Sequence, residues 1–153
     1  MTPLYLVTGG MDPLHSGHIE LLGIGSNVVV GLNSDAWLQE KRKDRPEQTW
    51  FLPWKERKVI LEALGTVSRV LAFDDSQGHA VDFLEKVREM YGPEQRMVFV
   101  NGGDRKSSKD IPVAEREALE RLRIAPRFMQ TGKANSSRSI LEDYLRRTSH
   151  ARY

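Results

Sequence analysis

The stretch "LYLVTGGMDPLHSGHIELLGIG", Leu4 to Gly25, sets the reading of the whole chain. Leu4 to Thr8 is a short apolar run and reads as a buried strand. Gly17 to Gly25 reads as a short helix. Between them lie two glycines, Asp12, Pro13 and two of the four histidines in the chain. A strand passing through a glycine-rich turn into a helix is the first half of a strand–helix–strand unit.

The alternation continues downstream. Strands are expected at Asn27–Asn33, Arg69–Phe73, Arg96–Asn101 and Arg127–Thr131, from β-branched and apolar content. Helices are expected at Pro53–Gly65, His79–Pro93, Val113–Ile124 and Ser137–Arg147. Pro53 near its start and Gly65 past its end punctuate the first of these. Strand and helix in strict alternation predict a parallel sheet covered on both faces. The fold class is therefore α/β: a three-layer α/β/α, Rossmann-like, doubly wound domain on a five-stranded parallel sheet. Residues 1–153 suit one such domain, and a chain of this length buries a core without disulfides or metals.

Bulk properties narrow the function classes. Hydrophobic residues make up 39% and charged residues 29%, ordinary for a globular protein in water. No apolar run approaches a membrane span of about 20 residues, and no leader is evident, so no membrane partner is expected. The absence of cysteine excludes thiolate metal sites and fits a reducing, cytoplasmic setting. A net charge of +2 is too slight for a nucleic-acid surface. The run "KRKDR", Lys41 to Arg45, reads either as a solvated loop or as a polyphosphate clamp.

In a sheet of this kind ligands bind beyond the carboxyl ends of the strands. The segments after the strands are "GGMDPLHSGH", "SDAWLQEKRKDRP", "GGDRKSSKD" and "GKANSSR". The unusual chemistry collects on one edge. Gly9, Gly10 and Gly17 are expected to admit close backbone approach to a ligand and strained angles. A helix N-terminus there suits phosphate. His15 and His18, three apart, share a helix face and are placed to donate hydrogen bonds to phosphate oxygens; the bland alternative is that both only cap the turn. Arg57 lies on the inward stripe with Ile60, Leu61 and Leu64. It requires either a bound anion or a carboxylate such as Asp35 or Asp74. At Ser136, Ser137 and Arg138 hydroxyls and a guanidinium meet a helix start, suited to phosphate, or Ser136 is simply an N-cap. Asp74 and Asp75 are either Mg²⁺ ligands or turn residues, the turn being the better fit, and no protein metal cage is expected.

"GGMDPLHSGH" resembles the G-x-F-D-x-x-H-x-G-H signature of the cytidylyltransferase-like nucleotidyltransferases, with Met11 in the apolar Phe slot. "VGLNSDAWLQEKRKDRP", "WKERKVILEAL", "VNGGDR" and "ANSSRSIL" resemble further family segments, in family order. The resemblance implies transfer of a nucleoside monophosphate from ATP or CTP, with Mg²⁺, to a small phosphorylated acceptor. "VNGGDR" leans toward members that activate sugar or polyol phosphates. It implies catalytic roles for His15, His18, Lys43, Arg57 and Arg138. It implies nucleotide contacts from Thr8, Gly9, Gly10, Met11, Asp12, Gly17, Lys41, Asn101, Gly102, Gly103, Asp104, Ser136 and Ser137. Lys41 and Lys43 remain alternatives for one phosphate contact. A homodimer is implied. The alternatives are an adenylyltransferase of the nicotinate or nicotinamide mononucleotide type, and a nucleotide sensor without turnover.

Overall fold

The computed structural model describes residues 2–45, 49–103, 105–130 and 136–150. Strands β1 (Leu4–Gly9), β2 (Val28–Leu32), β3 (Val67–Leu71), β4 (Met97–Asn101) and β5 (Ala125–Phe128) form one parallel sheet in the order β3-β2-β1-β4-β5. Helices α1 (Ser16–Leu22), α2 (Asp35–Lys41), α3 (Trp54–Glu62), α4 (Val81–Tyr91), α5 (Val113–Arg121) and α6 (Ser137–His150) connect and flank it. The order reverses at β1, so the switch point lies between β1 and β4. This is the three-layer, Rossmann-like architecture expected from the alternation.

Alternation along each strand divides the core. Leu4, Leu6, Val29, Met97 and Phe99 face α4 and α5, where they meet Phe83, Leu84, Val87, Ala118 and Leu119. Val7, Val28, Val30, Leu32, Val98 and Val100 face the opposite way, with Leu22 of α1 and Leu61 of α3. Gly31 is needed on the first face. A Cβ there would lie 2.7 Å from the Phe83 ring.

Two of the differences from expectation have clear local causes. The Asp35–Lys41 segment is a helix, not a loop: Ser34 caps it, its Oγ accepting from the Trp37 amide at 3.0 Å. Strand β5 begins at Ala125 and includes Pro126, which an exposed edge strand tolerates.

Candidate active site

The histidine pair is built by local backbone geometry. His15 caps α1, its Nδ1 accepting from the Gly17 amide at 3.1 Å. The Nδ1 of His18 accepts from the His15 amide at 3.1 Å. The rings stack with centroids 3.8 Å apart. The capping role is thus real, and it has a chemical consequence. A neutral imidazole that accepts at Nδ1 carries its proton at Nε2. Both rings therefore present an Nε2–H donor, and neither Nε2 has a protein partner among the described residues. Burial, then the neighbouring His15 and Lys41, pushes His18 down to about 4. Burial also holds His15 below its ordinary value. Both rings are therefore neutral donors near pH 7.

The glycine turn corrects one expectation. Neither Gly9 nor Gly10 adopts positive φ; Met11 does, at 51°. Gly10 packs closely against α2: a Cβ there would lie 2.7 Å from Leu38 Cδ2 and displace that side chain. Met11 is buried in the apolar core, as its slot implies. The Gly17 amide is engaged by His15, and the His18 amide donates to the His15 carbonyl. The donors left at this turn are therefore imidazoles rather than those two amides.

Asp12 is held by the protein itself. It is 1% exposed, and its carboxylate accepts from Arg42 Nη1 at 2.9 Å and from the amides of Phe51 and Leu52 at 2.6 and 2.7 Å. Its contacts are with the protein, and it holds the glycine turn against the segment after α2. Arg42, in the middle of "KRKDR", is buried by this pairing, so the run is neither a bare solvated loop nor a simple phosphate clamp.

The Arg57 side chain is fully buried. It donates to the carbonyls of Leu52, Gly10 and Asn33 at 2.9, 2.7 and 2.8 Å and pairs with Asp35 at 2.6 Å. The carboxylate alternative is the one the structure holds. Asp75, likewise, accepts from Asn33 Nδ2 and from the amide and hydroxyl of Ser34. Asp74 accepts from Ser76. Both are turn residues, and no group of three or more metal-binding side chains occurs among the described residues.

The two lysines separate. Lys41 lies over the Trp37 ring, 4.8 Å from its centroid, and its charge reaches His18. Lys43 is exposed and paired with Glu40 at 2.7 Å, and it lines a cavity of about 450 Å³. At the end of β1, Thr8 lines a small cavity with Asn33 and Trp37. Asn101 is buried, and its Oδ1 accepts from Arg105 Nη1 at 3.1 Å. Its side chain holds Arg105. Gly103 has φ of 63° with open space before it, and Gly102 abuts Leu21. Ser136 caps α6 through the Ser139 amide, and the Ser137 hydroxyl donates to the Pro13 carbonyl at 3.0 Å. That bond brings the start of α6 to the histidine turn. Arg138, however, is exposed and paired with Glu142 at 3.0 Å. Asp104, and Lys133 in the segment before Ser136, lie outside the described residues.

No protein-family model matches the chain. It is 33% identical over 141 residues to the bifunctional protein HldE of Citrifermentans bemidjiense, covering 90% of this chain and 26% of that one. It is 32% identical over 114 residues to the HldE of Citrobacter koseri, covering 65% of this chain and 23% of that one. The chain belongs to the cytidylyltransferase-like nucleotidyltransferase family. This nucleotidyltransferase-family chain spans about a quarter of the length of those curated relatives. A solved structure with the same fold is a lipopolysaccharide core biosynthesis protein from Thermoplasma volcanium. Its TM-score is 0.57 at 19% identity, covering 87% of this chain and 98% of that one. No helix among the described residues is long and apolar enough to cross a membrane.

Proposed function

We propose that this chain transfers a nucleoside monophosphate from a nucleoside triphosphate to a small phosphorylated acceptor, a sugar or polyol phosphate, and releases pyrophosphate. The adenylyl group is favoured over the cytidylyl by the "VNGGDR" segment and by the likeness to HldE. The observation that carries the reading is the stacked pair of imidazoles whose Nδ1 atoms are held by backbone amides and whose Nε2–H groups are left to donate.

In the reaction, an acceptor phosphate oxygen attacks the α-phosphorus. A new P–O bond forms there as the bond to the bridging α–β oxygen breaks, and the electron pair leaves on pyrophosphate. His15 and His18 donate from Nε2 to phosphate oxygens as charge builds, with no change in their own protonation. Lys41, beside His18, supplies positive charge to the same phosphates. The fixed rings do not reorganise during the step. Mg²⁺ bound with the nucleotide would supply further positive charge to the triphosphate. No role assigned above depends on it.

The test is pyrophosphate release from each of the four ribonucleoside triphosphates against a panel of sugar and polyol phosphates. Release that depends on acceptor is expected. Removal of either imidazole, His15→Ala or His18→Ala, is expected to lower kcat by about 10²–10³-fold, the effect of losing one preorganised donor. Tight nucleotide binding without release, for every acceptor, would assign the chain instead to a nucleotide sensor.

A further inference from the structure

A small polar cavity of about 60 Å³ opens on the α4/α5 side of the strand ends. Its chemistry comes from Thr8, Asn33, Trp37, His79, Arg105 and Glu115. Of these, His79 and Glu115 have no role in the site as described so far, and Arg105 enters it only as the partner of Asn101. Glu115 is 1% exposed in the first turn of α5, and its carboxylate is held by Arg105 through contacts of 3.4 and 3.2 Å. Arg105 is itself braced by Asn101 and remains partly open. The Nδ1 of His79 accepts from the Val81 amide, which leaves its Nε2–H as a donor.

The cavity adjoins the histidine site. Trp37 is the shared wall: its ring abuts Gly10 of the glycine turn and carries Lys41 on its face, and the Lys41 charge reaches His18.

Size and charge decide what fits. A volume of about 60 Å³ accommodates one or two hydroxyl groups. A phosphate fits poorly, because the Arg105 charge is already balanced by a buried carboxylate and a second anion would be placed against Glu115. Hydroxyls fit well: Glu115 accepts from them, while Arg105 and His79 donate to them.

We infer that this cavity receives the hydroxylated end of the acceptor, opposite its reacting phosphate, and that Glu115 and Arg105 determine specificity for an acceptor that carries that hydroxyl. The inference rests on the transferase reading for the identity of the acceptor, but the cavity's preference is measurable without turnover.

Two matched pairs test it: mannose 1-phosphate against 6-deoxymannose 1-phosphate, and glycerol 3-phosphate against propane-1,2-diol 1-phosphate. Each is assayed for pyrophosphate release with ATP, and by calorimetric titration in the presence of a non-hydrolysable ATP analogue. In at least one pair the hydroxylated member is expected to be favoured about 10- to 100-fold, because the deoxy compound leaves buried polar groups unpaired. Glu115→Gln and Arg105→Gln are expected to bring that ratio toward unity while KM for ATP holds. Arg105 is partly open, so its variant keeps the test alive if Glu115→Gln melts early. Equal use of both members in both pairs, or a ratio unchanged in both variants, overturns the inference. Pyrophosphate release with no preference overturns the cavity's role and leaves the transferase standing. Preference in the titration with no release supports the cavity and overturns the transferase. Neither binding nor release with any of the four compounds overturns both.

Discussion

At the scale of single residues, His18 links the chemistry to the fold's response to acid. Its folded pKa lies near 4 against 6.5 for a free side chain, chiefly through burial. Between these values the unfolded chain binds the proton more readily, so stability falls as pH drops from about 6.5 toward 4 and the penalty is absent above that window. By pH 5 it amounts to about 2 kcal/mol. Urea unfolding of the wild type and of His18→Gln at pH 7.5 and pH 5 is expected to show the variant losing less stability, by that difference. The lysines give a second contrast. Lys41→Gln is expected to raise the triphosphate KM or lower kcat by about tenfold, the loss of one charge-assisted phosphate contact of about 1.5 kcal/mol. Lys43→Gln, whose ammonium is exposed and paired with Glu40, is expected to stay near wild type in steady-state kinetics.

At the scale of elements, α2 is the piece the sequence concealed. Ser34 followed by Asp35 is a helix-start signature, yet the charged run beyond it reads as loop. Burial of Arg42 needed knowledge of where Asp12 would lie, and the two are thirty positions apart. The histidine turn was legible because its residues act locally, three apart. The Arg105–Glu115 contact was not, since a Glu on a charged helix reads as solvent-facing until Ala118 and Leu119 are seen to share its buried face. Arg42→Ala is expected to leave Asp12 buried and uncompensated, costing about 3–5 kcal/mol of unfolding free energy. Equilibrium denaturation checks this, and the double variant Arg42→Met with Asp12→Leu is expected to recover part of the loss.

At the scale of the molecule, the strand–helix alternation carried the fold because each face of a buried parallel strand must be covered, and only alternating helices do so. What periodicity does not encode is which side each helix takes and how closely it approaches. Gly31 marks one such close approach, against Phe83. Gly31→Ala is expected to cost about 1–3 kcal/mol through overpacking, read as a lowered Tm with unchanged nucleotide KM. Arg57 extends this whole-molecule view. It grips the segments after β1, after β2 and before α3, and three of its four bonds go to peptide oxygens. Such a clasp is blind to side-chain identity. Positions 33 and 52 are free, as far as this contact is concerned, to drift in sequence while the three strands of chain stay in register around a single guanidinium. A lysine in its place has only one nitrogen for partners that lie in several directions, so the planar fork of the guanidinium is the part of this clasp that no other side chain replaces.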